Sequence, residues 1–250
     1  MTSVLLLPLL AAFAGEAQAE PELWYYSSNT LVHVALNDDG SAATFTGSPL
    51  TTAAGFAGLS MLPDGGLLLA IDGKPSSLYY VADPARDGSA SSAEYLGSMG
   101  SGSYGGIALE GVYVDCLGRI FAMDTGRDSG SNIGNRLLRF TGDVLAGDLS
   151  FEVVANLSGA VAADVDDMGP GIDAEGNVTD NPGFAIDSGK VYDFDFEDGS
   201  GAYAFPAGTW GIHAIDGSEF VDGVSRLYVL NSTGYLYEID PGSGAILASL

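Results

Sequence analysis

An apolar run, a tight polar turn, a second apolar run and a polar stop recur four times along the chain. The phrase appears as Leu59 to Asp72 (LSMLPDGGLLLAID), as Val112 to Asp124 (VYVDCLGRIFAMD), as Phe184 to Asp195 (FAIDSGKVYDFD), and as Ile212 to Asn231 with extra residues in the turn. Each reads as a β-hairpin, because short apolar segments bounded by Gly and Asp are strands around a turn. One hairpin returning over a whole chain predicts a propeller or another stacked-sheet array.

The remaining strands fit around these hairpins. Leu23 to Tyr26, Leu31 to Leu36 and Ala42 to Thr46 open the chain, with Asn37-Asp38-Asp39-Gly40 as a turn between the last two. A second unit runs from Gly58 to Met99 and a third from Ile107 to Leu157. A looser fourth contains Pro182 to Ile186, Lys190 to Phe194 and Ala202 to Phe205, and a fifth runs from Gly211 to Ser249. Units of roughly 40 to 50 residues match one propeller blade. A blade cannot bury both of its faces alone, which accounts for apolar residues on both faces of the inner strands. The expected fold is all-β, a propeller of about five to six four-stranded blades, open to being incomplete at the C-terminus. Two connections are too long for turns, Gly126 to Asn135 and Asp164 to Asn181. Long loops in a compact domain carry function more often than short ones.

Composition changes the picture at four points. Residues 1–19 read as a signal peptide: an apolar run from Val4 to Ala14, then Ala17-Gln18-Ala19 as a cleavage site. The expected domains are therefore a removable leader at 1–19 and a propeller at 20–250, in a secreted or periplasmic protein. No later stretch is apolar enough to span a membrane as a helix. Cys116 is the single cysteine, so the fold depends on its core rather than on an internal disulfide. Acidic residues outnumber basic ones by 33 to 8, for a net charge of −25. That excludes nucleic acid as a partner, since phosphate contacts need clustered Lys and Arg. It leaves a solvated acidic surface or divalent-cation binding.

The third unit carries a family likeness. Glu110-Gly111-Val112-Tyr113-Val114-Asp115, Gly118 to Gly126 (GRIFAMDTG) and Asn135-Arg136-Leu137-Leu138-Arg139-Phe140 resemble an NHL repeat with a loop inserted between DTG and NR. The same stretch is similar to the DTG segment of yellow and royal-jelly proteins and to the opening blade of gluconolactonase-type enzymes. All three are six-bladed propellers, so the resemblance implies the fold. It implies function weakly, because propellers host unrelated activities.

The chemistry-bearing candidates are few. Asp164, Asp166, Asp167, Asp173, Glu175 and Asp180 make a carboxylate-rich loop suited to the oxygen-seeking Ca²⁺ ion, or simply to capping its own turns. In the acidic run Asp193 to Asp198, alternation sets Asp193 and Asp195 against Phe194 and Phe196, as in an amphipathic strand entering a turn. The gluconolactonase likeness implies a channel metal held by Glu110 and Asn181, with His213 or Asp164 standing where a third ligand is missing. His33 reads as a packed histidine. Serine hydrolysis is disfavoured, for there is no G-x-S-x-G elbow and there are two histidines in all. Gly97 to Gly106 lacks the lysine of a phosphate-binding loop. Asn156, Asn177 and Asn231 begin glycosylation sequons. Together these point to an exported monomer that binds a small molecule or a protein. A metal-dependent lactonase with its site in the central channel is the alternative.

Overall fold

In the computed structural model the described residues are 22–27, 29–37, 42–51, 55, 57–71, 73, 75–100, 107–125, 136–157, 165–173, 177–187, 190–206, 212–221, 224–231 and 235–250. They form nineteen strands in five antiparallel sheets and, apart from one 3-10 turn at Val144–Ala146, no helix. The first sheet has three strands, β1 (Glu22–Ser27), β2 (Thr30–Leu36) and β3 (Ala43–Pro49). The second has β4 (Ala57–Met61), β5 (Leu67–Ile71), β6 (Ser77–Val81) and β7 (Glu94–Ser98). The third has β8 (Leu109–Val114), β9 (Ile120–Asp124), β10 (Arg136–Phe140) and β11 (Phe151–Asn156). The fourth has β12 (Asp167–Ile172), β13 (Val178–Asp187), β14 (Lys190–Phe194) and β15 (Gly201–Pro206). The fifth has β16 (Ile212–Val221), β17 (Val224–Asn231), β18 (Leu236–Ile239) and β19 (Ile246–Ser249).

Each sheet is a meander in chain order, as short hairpin connections dictate. The first strands of the sheets lie innermost. β1 meets β4, β4 meets β8, β8 meets β12, β12 meets β16, and β16 returns to β1. The sheets are therefore arranged radially as a ring. Buried clusters fill every junction. Trp24, Leu31, Leu67 and Leu69 join the first two sheets. Leu68, Leu78, Val112 and Leu138 join the second and third. Phe121, Met123, Val165 and Phe194 join the third and fourth. Ile186, Val191, Leu227 and Val229 join the fourth and fifth. Leu23, Val34, Tyr228 and Leu236 close the ring between the fifth and the first. Alternation explains the pattern: on β5, Leu67 and Leu69 face one neighbour while Leu68 and Ala70 face the other.

The inner strands approach closely because small residues permit it. A Cβ on Gly58 of β4 would lie 2.5 Å from the Glu110 carbonyl oxygen of β8. A Cβ on Gly111 would lie 3.1 Å from the Asp167 Cα of β12. Early residues thus sit beside early residues, and these inner strands begin together at one end of the ring.

The blade count falls at the lower edge of the expected range, and the three-stranded sheet is the N-terminal one. The fourth unit differs from its sequence reading. Asp164 to Asn181, expected to be a loop, contains the inner strand β12 and the start of β13. The Phe184 to Asp195 hairpin is consequently the second and third strands of its sheet. Gly169, Pro170 and Gly171 look like a turn in sequence. They serve instead as small residues at a crowded, irregular pairing. A Cβ at Gly171 would stand 2.4 Å from the Pro182 carbonyl oxygen, and one at Gly183 would stand 2.5 Å from that of Gly169.

Candidate functional site

Strand direction divides the ring into two faces with different loops. At the end where inner strands begin stand Met99 and Ile107, Leu157 and Val165, and Asp124 and Arg136, the described residues that flank the long connections and the DTG insertion. At the other end lie compact turns. Asp64 accepts from the Gly66 backbone at 2.9 Å, Asp115 from Leu117 and Arg119 at 3.0 and 2.7 Å, and Asp173 from Asn177 at 2.8 Å. Carboxylates that accept from nearby backbone N–H groups hold a turn shut.

Glu110 stands at the loop-bearing end, in an irregular stretch of the pairing between β8 and β9. Both of its carboxylate oxygens are shielded from solvent. Asp166 and Asp167 stand at the same end, at the start of β12. The Asp167 Oδ1 lies 3.5 Å from where a Cβ of Gly111 would be, so Glu110 and Asp167 occupy adjacent inner strands. The remaining candidates scatter. Asp173 caps the far hairpin. Asp180 crosses to the third sheet at the far end, accepting from the Tyr113 hydroxyl at 2.6 Å and the Cys116 backbone at 3.2 Å. Asn181 sits near it on β13, the second strand. Its side-chain Nδ2 donates to Asp195 Oδ1 at 3.0 Å and its side-chain Oδ1 accepts from the Phe196 backbone N–H at 2.9 Å. Asn181 and Glu110 are therefore at opposite ends of the ring. Asp164 and Glu175 lie outside the described residues. The backbone of His213 lies at a register irregularity near the start of β16, and its side chain is outside the described part.

Charge interactions follow this geography. Burial opposes ionisation of Asp180, yet the bonds from Cys116 and Tyr113 outweigh it and hold the carboxyl below its usual range. Burial and the Asp180 bond push the Tyr113 phenol up. Hydrogen bonding to Asp180 likewise raises the exposed Cys116 thiol, the reverse of a reactive cysteine. Among the described residues no three His, Cys, Asp or Glu side chains come together as metal ligands. Glu110, Asp166 and Asp167 are the nominated oxygen donors that the fold brings to one end of the ring.

The DTG and NR motif has a structural meaning that sequence reasoning missed. Asp124 and Arg136 are buried at 0% and 4% exposure. Arg136 Nε donates to Asp124 Oδ2 at 2.8 Å, and the Ala108 backbone donates to Asp124 Oδ1 at 3.1 Å. The pair ties β9, β10 and the lead-in to β8 at the foot of the inserted loop. The Asp of DTG and the Arg of NR, twelve positions apart in the sequence, were the available signal.

Comparison with solved structures follows from this geometry. A chain in a crystal structure of a nidogen/laminin complex is 11% identical, with 92% of each chain covered and a TM-score of 0.52. The chain is a β-propeller. The propeller is also similar to a gluconolactonase from Xanthomonas campestris, at 13% identity, covering 91% of this chain and 74% of that one, with a TM-score of 0.49. A luciferin-regenerating enzyme is 14% identical, with 92% and 75% covered and a TM-score of 0.47. At these identities the likeness is one of fold. No family profile matches the sequence, and no curated protein matches it.

Proposed function

We propose that the chain is an exported, monomeric, non-catalytic propeller that binds a small molecule or a protein through its loop-bearing face. One observation carries this reading. The two described residues nominated for a channel metal divide between the two ends of the ring, with Glu110 at one, beside Asp166 and Asp167 of the carboxylate-rich segment, and Asn181 at the other. The long connections and the buried Glu110 carboxylate share one face, where a rigid scaffold would present variable loops. A lactonase-type hydrolase would need Asn181 and a third donor, His213 or Asp164, to converge with Glu110.

The test combines metal analysis of the purified protein, lactone hydrolysis and a thermal-shift screen of small molecules. The expected result is no stoichiometric Ca²⁺ at Asp164, Asp166 or Asp167 and no hydrolysis above background. A ligand found in the screen should raise the melting temperature of the parent. That shift should be lost in Glu110→Gln and Asp167→Asn. Lactone turnover abolished by Glu110→Gln would replace the binding reading with the enzyme. For export, N-terminal sequencing of secreted protein is expected to begin at Glu20.

A further inference from the structure

The outer rim of the first sheet is unlike the other four. Among the described residues its sheet ends at β3, whereas each other sheet adds a fourth strand. Between the second and third sheets the outer strands cover each other: Leu96 of β7 packs into the same cluster as Phe151 and Val153 of β11. The opposite face of β7 looks toward the first sheet, and there Tyr95 is 56% exposed, its ring 5.4 Å from that of Tyr79.

The backbone of β3 shows which of its groups are turned outward. The Leu50 N–H bonds inward to the Asn29 carbonyl at 2.8 Å, while the Pro49 carbonyl bonds outward to the Ser91 N–H at 3.0 Å. Both peptide groups of one residue point the same way in an antiparallel strand, and direction alternates along it. Ala43, Phe45 and Gly47 therefore share the outward orientation of Pro49. The loop of the second sheet covers the lower part. Ser48 donates to the Ala85 carbonyl at 2.8 Å, and Gly88 approaches Gly47. The stretch Ala43 to Phe45 lies beyond it, with Phe45 40% exposed. An edge of this kind is a template for another strand.

We propose that this edge of β3 accepts an extended segment of a cationic protein partner as a fourth strand, with an apolar side chain against Tyr95. Edge addition supplies main-chain hydrogen bonds, and side-chain surfaces supply selectivity. Charge sets the partner's sign. The chain carries −25, and Glu94 and Asp87 near the rim are exposed. Arg86, the described cation beside them, is held over the Trp24 ring at 5.4 Å. A second copy of this chain would bring the same negative charge against itself.

The probe is a fluorophore-labelled decapeptide of alternating Val and Lys, titrated into the full chain at low salt and followed by anisotropy. A Val and Glu peptide serves as control. Ala43→Pro deletes an outward N–H, and Pro49 in the same alternation shows that proline fits there. Tyr95→Ala removes the side wall. The expected result is saturable binding of the Lys peptide and none of the Glu peptide. Each variant should weaken binding at least tenfold while melting within a few degrees of the parent. Absence of binding, or binding indifferent to both substitutions, overturns the proposal. A dimer in solution that Ala43→Pro dissolves would assign the edge to a second copy instead. Binding seen solely after removal of residues 1–19 would assign it to the chain's own leader, and either result is fatal to the partner. The rim lies apart from Glu110 and Asp167, so failure here leaves the binding reading of the loop-bearing face standing.

Discussion

At the residue scale, acidic side chains do structural work here more often than their number suggests. Asp124 shares a dry junction with Arg136, and removing one member leaves the other charge buried without its ion-pair partner. Asp124→Ala should lower stability by about 3–5 kcal/mol in urea unfolding. A cost under about 1 kcal/mol would show that water reaches the pair. Asp180 gives a pH prediction. Its carboxyl is held below the ordinary value, so its stabilising effect is full above about pH 4 and is lost as pH falls through its folded value. The urea midpoint of the parent should fall between pH 5 and pH 2, and Asp180→Asn should flatten that fall. An unchanged slope would mean that other carboxylates dominate acid unfolding. Asp124 also marks a limit of reading sequence. A buried Asp paired with an Arg twelve positions away looks the same in sequence as a surface pair, because burial is settled by the neighbouring sheet.

At the element scale, close approach of inner strands decides which substitutions the ring tolerates. Gly58 lies against the backbone of β8, which has no rotamer with which to give way. Gly58→Ala should therefore destabilise the protein by about 1–3 kcal/mol through overpacking. A neutral result in thermal unfolding would show that β4 slides. The hairpins Leu67–Ile71 with its partners, Arg136–Phe140 and Lys190–Phe194 were legible because their apolar residues alternate between two neighbours in a period of two. β12 was not, since its Asp-Met-Gly-Pro-Gly-Ile sequence lacks that alternation and contains the residues that normally break strands. Its Gly residues answer crowding by β13, a tertiary cause invisible in a local window. The same misreading made one loop of carboxylates that the fold divides between two ends. Glu110 was nominated from its motif, and its adjacency to Asp167 follows only from β12 being an inner strand.

At the scale of the whole molecule, charge is the dominant long-range force. Arg119 pairs with Asp115 and Glu197, Arg136 with Asp124, Arg139 with Glu152, and Arg226 with Glu238. With these cations engaged internally, the excess of carboxylates repels itself across the surface. Raising NaCl from 10 mM to 1 M, which shrinks the screening length from about 30 Å to about 3 Å, should raise the melting temperature. A fall would show that the ion pairs outweigh the repulsion.

One junction of the ring joins sheets that are not consecutive along the chain. From the first sheet to the fifth the polypeptide passes directly from each sheet to the next, whereas the fifth meets the first through side chains such as Tyr228, Leu236, Leu23 and Val34. Parting there would cost apolar contact but would rupture none of the ladders within a sheet. Apolar packing is thus the tie at that seam, and opening of the circle would begin where it is weakened.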